Sequence, residues 1–129
     1  MTTVPSSLRK WFVFHFFANG LAGLQLLFVP AWFLHTLGIE EFDLITPRLV
    51  GAALLGIGIA SLLVRKKGLA EYKTLLFVKA IWSGIAIFGL VMTLVQYGWG
   101  APEATWFLIP VFVGFHSVWD FYLYKLRGL

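Results

Sequence analysis

The chain has 129 residues, of which 60% are hydrophobic and only 12% are charged. A water-soluble domain carries about a quarter charged residues because its surface must be solvated, so lipid is the simpler solvent for this chain. The absence of cysteine excludes disulfides, thiolate metal sites and cysteine nucleophiles. The formal charge of +4 comes from short basic clusters between apolar runs, a pattern that argues against nucleic acid as a partner.

Four apolar runs follow one another along the chain, over residues 11–34, 47–64, 75–97 and 105–126. Each has roughly the 17–25 residues that cross a hydrocarbon layer of about 30 Å as a helix. The runs are continuously apolar and do not alternate, so they are not strands of a membrane barrel. The sequence therefore predicts an all-α, integral membrane four-helix bundle that forms a single transmembrane domain.

Prolines mark the boundaries and irregular points of these runs. Pro47 is well placed as the first residue of the second helix. Pro30 and Pro110 fall inside the first and fourth runs, where we expect local kinks. The first run is too long for a secretory signal peptide and no small-residue cleavage site follows it, so we expect it to remain as a transmembrane helix.

The charges between the runs predict the orientation. Eight of the ten Lys and Arg residues flank the bundle on one predicted side: Arg9, Lys10, Arg65, Lys66, Lys67, Lys73, Lys125 and Arg127. Four of the six acidic residues lie on the other side: Glu40, Glu41, Asp43 and Glu103. Because positively charged flanks stay in the cytoplasm, we expect both termini there, in a multi-pass protein of the inner cell membrane.

Small residues at helical spacing predict close packing between helices. On the second and third runs they are Gly51, Ala52, Gly56, Gly58, Ala60, Ala80 and Gly84. Ala52, Gly56 and Ala60 form a ridge at four-residue spacing. We favour packing within one bundle; the alternative is a ridge that faces another subunit, in a homo-oligomer or a larger membrane complex.

Polar and titratable side chains inside the predicted spans form a candidate cluster in the cytoplasmic half: His15, Asn19, Lys79, His116 and Asp120. Such groups are costly in lipid and usually face the bundle interior or water. His116 and Asp120 share a helix face because they are four residues apart. We favour a structural ion pair between Lys79 and Asp120; alternatively, Lys79 extends to the interface and Asp120 pairs with His15 or His116.

A functional interpretation of the same cluster is a polar pocket open to the cytoplasm. There a His–Asp pair would pass protons or hold a quinone or a lipid headgroup. Ligation of haem or chlorophyll by His15 and His116 is a narrower alternative, because the two histidines lie on different helices at similar depth. Zinc is disfavoured, since only Asp120 would complete the ligand set. No residue is assigned as catalytic or as a metal ligand.

A second constellation is predicted on the outer side, where Arg48 follows Glu40, Glu41 and Asp43. An arginine at the interface pairs with a carboxylate or with a lipid phosphate. We favour an ion pair between Arg48 and one of these acids that orders the loop.

Residues 47–58 read PRLVGAALLGIG. With Arg48, Gly51, Gly56 and Gly58, the segment resembles the RxxGxxxxGxG pattern of small four-helix bacterial membrane proteins of the DoxX-like and DUF4345-like groups. The resemblance implies the fold and assigns these four residues as structural positions. Some DoxX-like members are linked to quinone-dependent oxidation and redox complexes.

The short loops and the absence of recognised catalytic motifs favour a non-enzymatic protein. We expect a small polytopic membrane protein that serves as an accessory subunit or as a bundle that binds a hydrophobic ligand. The alternative is a redox or proton-handling protein, associated with quinone or haem, that uses the polar cluster of the cytoplasmic half.

Overall fold

The computed structural model describes residues 3–128, which are helical and contain no strand. The helices of this range are α1 (Ser6–Phe28), α2 (Pro30–Thr36), α3 (Ile45–Leu63), α4 (Leu69–Tyr97) and α5 (Glu103–Lys125). Single 3-10 turns follow α3 and α4, at Val64–Lys66 and Gly98–Gly100. Four helices (α1, α3, α4 and α5) are long and apolar enough to cross a membrane. The all-α prediction and the four spans of membrane length are confirmed.

Helix ends extend beyond the apolar runs on the basic side. α1 begins at Ser6 and α4 at Leu69, several residues before the runs that start at positions 11 and 75. Hydropathy marks only the stretch suited to hydrocarbon, whereas a charged interfacial turn remains helical because Lys, Arg and Glu are good helix formers.

The chain breaks between α1 and α2 at Val29, whose φ of −131° and ψ of 53° leave the helical region. Pro30 begins α2 and has no N–H to donate, so the preceding turn loses a helical hydrogen bond. The prediction of one helix over residues 11–34 is therefore corrected, because the expected kink at Pro30 is a complete break. Pro110 differs, since it lies inside α5 and the helix continues through it.

The chain forms two compact units, one up to Tyr72 and one from Lys73. In the first unit α1 packs on α3 where two glycines meet. A Cβ at Gly23 would lie 2.9 Å from the carbonyl oxygen of Gly51, and one at Gly51 would lie 2.8 Å from that of Gly23. No side chain fits between backbones at this distance, so both positions require glycine.

Only one face of α3 takes part in this contact. Gly58 also lies on it, since a Cβ there would be 3.4 Å from the Cβ of Asn19. Ala52 and Gly56 are exposed, and a Cβ at Gly56 would meet nothing within 4 Å. The small-residue ridge of Ala52, Gly56 and Ala60 therefore lies on a different face from the one that packs on α1.

In the second unit α4 and α5 run antiparallel. Lys79 lies over Trp119, and Ser83, one turn further along α4, contacts His116, three residues earlier on α5. Most buried side chains of this unit lie on the first half of α4 and on the second half of α5: Leu76, Lys79, Ala80, Ser83, Trp119, Tyr122 and Leu126. Ala101, Ala104 and Thr105 are also buried, around the start of α5. These halves of the two helices carry Lys79, His116 and Asp120, three of the five polar residues that the sequence singled out.

The second half of α4 exposes a row of large apolar side chains: Ile85, Phe88, Val91, Met92 and Val95. Trp99 beyond them stacks on Trp106 with ring centroids 5.3 Å apart. Contiguous apolar surface on this scale is found where a membrane or a partner covers it.

Candidate functional site

The candidate site is the α4–α5 polar seam, defined by Lys79 and Ser83 on α4 and by His116 and Asp120 on α5. Each pair is four residues apart, so its two side chains share one face of their helix. Ser83 is the middle residue of α4, and His116 lies two residues past the middle of α5. The antiparallel arrangement therefore brings both pairs together near the middle of the two helices.

His116 is held on both sides of its imidazole ring. Its Nδ1 lies 2.8 Å from the hydroxyl oxygen of Ser83, and its Nε2 lies 3.1 Å from a carboxylate oxygen of Asp120. Ser83 itself lies 3.1 Å from the backbone carbonyl oxygen of Ala80. The seam thus contains a continuous chain of polar groups from α4 to the carboxylate on α5.

This chain accommodates both protonation states of His116. In the neutral ring, Nε2–H donates to Asp120 and Nδ1 accepts the hydroxyl proton of Ser83. In the cation, Nδ1–H donates to the Ser83 oxygen, whose proton turns to the carbonyl of Ala80. Rotation of one hydroxyl therefore keeps both ring nitrogens hydrogen-bonded when the histidine gains or loses a proton.

Gly84 sets the position of the imidazole. A Cβ at this glycine would lie 3.3 Å from Cε1 of His116, tighter than ordinary van der Waals contact. The sequence predicted Gly84 as a helix-packing residue, and in the structure its contact is the imidazole ring itself.

Lys79 has a different environment from the His–Asp pair. It is fully buried, and its ammonium lies 5.0 Å from the ring centroid of Trp119, which is also buried. A cation over an indole face is stabilised by the ring quadrupole. Phe115 stacks on the same indole, with ring centroids 5.9 Å apart.

The favoured ion pair between Lys79 and Asp120 is corrected by these contacts. The carboxylate of Asp120 pairs with His116, the alternative pairing, and is 56% exposed, whereas Lys79 is buried against Trp119. Asp120 and Trp119 are consecutive on α5 and therefore point about 100° apart, so a cation over the indole does not face the carboxylate.

The His–Asp pair is partly open at a depth where lipid is expected. With α5 centred in a bilayer, His116 lies about 3 Å and Asp120 about 9 Å from the midplane, at 1.5 Å per residue. The hydrocarbon extends about 15 Å from the midplane. The side chains are 31% and 56% exposed, so two hydrogen-bonding groups would face hydrocarbon unless another molecule covers them.

Ser83, His116 and Asp120 have the residue types of a hydrolase triad, yet the surroundings do not support acyl transfer. Ser83 is only 3% exposed and sits in mid-helix, where the neighbouring backbone N–H groups donate within α4. A triad needs an accessible hydroxyl and free N–H donors for the oxyanion.

The other two members of the predicted cluster lie in the first unit. His15 and Asn19 are buried on one stripe of α1. The Nδ2 of Asn19 has no hydrogen-bond partner within residues 3–128. The structure thus brings Ser83, His116 and Asp120 together, while convergence of all five predicted residues stays a prediction.

Haem ligation through His116 conflicts with its contacts. Both ring nitrogens already face partners, so an iron atom could bind Nε2 only if Asp120 moved away. In the part of the chain that the structure describes, no three His, Asp or Glu side chains form a group that could hold a metal ion.

Two of the three loop acids, Glu40 and Asp43, have partners other than Arg48. Glu40 pairs with His35 at 3.1 Å, and Asp43 accepts hydrogen bonds from the Thr46 amide and hydroxyl at 2.6 and 2.7 Å. These two hydrogen bonds hold the pKa of Asp43 below its usual value.

Arg48 instead donates from Nε to the carbonyl oxygen of Leu27, at 3.3 Å. The predicted ion pair between Arg48 and a loop acid is therefore corrected. The physical reason is the break at Val29, because the last carbonyls of α1 lack helical partners and an arginine is a suitable donor for them.

Sequence reasoning identified His116 and Asp120 but not their partner, Ser83, or the role of Trp119. The available signal was the spacing of Lys79 and Ser83, which places a serine on the same face as the buried lysine.

Compared with known proteins, the chain matches no family model, no curated protein and no solved structure.

Proposed function

We propose that this chain is a four-helix bundle of the cell membrane that binds a hydrophobic molecule or serves as an accessory subunit, with both termini in the cytoplasm. Within the first unit, the guanidinium of Arg9 donates to the backbone carbonyls of Arg65 and Lys67. This contact supports placing the N-terminal flank and the loop before α4 on one side, which the positive-inside rule makes cytoplasmic.

The observation that carries the proposal is the partly exposed His116–Asp120 pair inside a membrane-length helix. Ser83 holds Nδ1 of the His116 ring. The Asp120 carboxylate uses one oxygen for Nε2 and has a second oxygen that can accept a hydrogen bond. A lipophilic molecule with a hydroxyl group at its polar end would satisfy that oxygen and shield the pair from hydrocarbon. A quinol has this chemistry, and its quinone would be the oxidised partner.

Extraction of the purified protein tests the proposal. We expect an organic extract of the wild type to contain a quinone or another polar-headed lipophile in a fixed ratio to protein. The ratio should fall in both His116→Ala and Asp120→Asn. The first variant removes the imidazole, and the second replaces one acceptor oxygen of the carboxylate with an NH2 group that cannot accept a hydrogen bond.

The outer loop offers a matched control, since His35 and Glu40 form a His–carboxylate contact of the same length, 3.1 Å. His35→Ala and Glu40→Gln should leave the extract unchanged. If the seam variants and these controls retain the same amount of every lipophile, the pair is not a binding site.

A second candidate function, proton handling, is favoured by the hydroxyl of Ser83. This group serves the neutral and the cationic forms of His116, so the ring can take up a proton without losing a hydrogen bond. In vesicles containing the protein, Ser83→Ala should slow equilibration of an imposed pH difference. Ser117→Ala is the control, because that hydroxyl donates to the backbone carbonyl of Val113 within α5. Equal rates in both variants would reject this role.

Membership of the DoxX-like and DUF4345-like groups is part of the same proposal. It is supported at Gly51 and Gly58, where close approach of α1 to α3 gives a physical reason for glycine. Ala52 and Gly56 are exposed among residues 3–128, and such small exposed residues support a homo-oligomer or a larger membrane complex.

A further inference from the structure

A groove of about 530 Å³ lies where the first turns of α1 meet the turn that follows α3. It is lined by Arg9, Lys10, Val13, Phe14, Arg65 and Lys66. A smaller cavity of about 280 Å³ shares Lys10 and Phe14 and adds Ser7 and Trp11. The groove therefore combines a basic mouth with an apolar wall on one helix.

Arg9, one of the basic residues of the groove, has a structural role. Arg9 donates to the carbonyls of Arg65 and Lys67, and its guanidinium lies 5.2 Å from the ring centroid of Tyr72. The hydroxyl of Tyr72 donates to the same Arg65 carbonyl at 3.1 Å. The turn that forms one side of the groove is thus fixed by hydrogen bonds from two directions.

The other cations keep their charges available. In the described part of the chain, neither Lys10 nor Arg65 nor Lys66 forms an ion pair with a carboxylate. All three side chains are exposed. Glu71, in the first turn of α4, lies beside Gly68. The groove mouth is therefore positive and suited to an anion.

The apolar wall indicates what carries the anion. Phe14 is more than half exposed and meets Trp11 edge to face, with ring centroids 5.8 Å apart. Val13 and Phe14 belong to a helix of membrane length, so the wall continues from the charged mouth into the span. A free phosphate would use only the mouth, whereas a phospholipid would use both parts.

We propose that this groove binds one anionic phospholipid, with its phosphate among Lys10, Arg65 and Lys66 and an acyl chain along Val13 and Phe14. A zwitterionic lipid is a poorer match, because its own ammonium group would enter a cationic mouth. Basic residues at a membrane surface attract anionic lipids by about a factor of five each.

Native mass spectrometry of the delipidated full chain in detergent tests the proposal. Phosphatidylglycerol and phosphatidylcholine with identical acyl chains are added at equal concentration. We expect a retained adduct of phosphatidylglycerol and little of phosphatidylcholine. Millimolar inorganic phosphate should not displace it. Equal retention of the two lipids, or displacement by inorganic phosphate, would overturn the proposal.

Two matched pairs of variants locate the site. Lys66→Gln should weaken retention roughly five-fold, whereas Lys67→Gln, an equal charge change in the same loop, should leave it unaltered. Phe14→Ala should also weaken retention, whereas Phe28→Ala, at an exposed phenylalanine about 21 Å further along α1, should not. If both members of a pair weaken retention equally, the lipid is held by diffuse charge or general hydrophobicity and not in the groove.

Discussion

The backbones of Gly23 and Gly51 meet so closely that a Cβ on either glycine would lie within 3 Å of the other residue's carbonyl oxygen. This contact holds α1 against α3 in the first unit. It also places Asn19 beside Gly58, two turns further along α3. Two glycines thus set the distance and the register of the helix pair.

Replacement of either glycine by alanine should destabilise the first unit. Alanine gains up to about 1 kcal/mol over glycine in a helix, but overpacking at a tight contact costs about 1–3 kcal/mol. Gly20→Ala and Gly56→Ala are the controls, because a Cβ at those positions meets nothing within 4 Å. Thermal unfolding in detergent measures the difference. Gly51→Ala as stable as Gly56→Ala would contradict the observed packing.

Gly84→Ala should disturb the polar seam without altering any polar group. The new Cβ would lie 3.3 Å from Cε1 of His116, so the ring must shift by a few tenths of an ångström. We expect a changed NMR resonance for the Cε1–H group of His116 and reduced retention of the lipophile. Gly89→Ala, in open surroundings on the same helix, should change neither. An unmoved His116 resonance in Gly84→Ala would argue against this ring position.

Arg48→Gln should lower the free energy of unfolding by about 1 kcal/mol or less, because an exposed hydrogen bond to the Leu27 carbonyl is lost. Glu41→Gln, in the preceding loop, should have no effect. Chemical unfolding of the two variants distinguishes the carbonyl contact from a loop ion pair. If both variants lose the same stability, Arg48 pairs with Glu41 in solution.

Asp43→Ala should destabilise the start of α3 in a pH-dependent manner. Hydrogen bonds from Thr46 lower the pKa of Asp43 from its usual 3.8. A carboxyl whose pKa is lowered on folding contributes stability that is present above the unfolded pKa and is lost as pH falls through the folded pKa. The difference in unfolding temperature between wild type and variant should therefore be largest near neutral pH. A difference that stays constant well below pH 3.8 would contradict this role.

The spans were predictable because each depends only on a continuous run of apolar residues. The face of α3 that packs on α1 was not predictable from the sequence, since Gly51 and Gly56 are the same residue type on the same helix. Which of them contacts α1 depends on the position of Gly23, a residue that carries no distinctive local pattern. Helix periodicity gives the angle between two side chains around the helix axis. Which of the two side chains is buried depends on the neighbouring helix.

The same limit applies to the candidate site. Proximity of His116 and Asp120 follows from four-residue spacing on one helix and needs no knowledge of a neighbour. The pairing of Lys79 with Trp119, and of Ser83 with His116, depends on the register of α4 against α5. Matching opposite charges alone predicted an ion pair between Lys79 and Asp120. That prediction was wrong because Trp119 and Asp120 are consecutive and point in different directions from α5, and Lys79 lies over Trp119.

Native mass spectrometry of the protein extracted with its own lipids tests the central claim most directly, since it weighs whatever covers the His116–Asp120 pair. The wild type should carry one lipophilic adduct of constant mass, and Asp120→Asn, examined beside it, should have lost that adduct while keeping any phospholipid. A wild type that carries no such adduct, or an Asp120→Asn variant that retains it in full, would contradict the account.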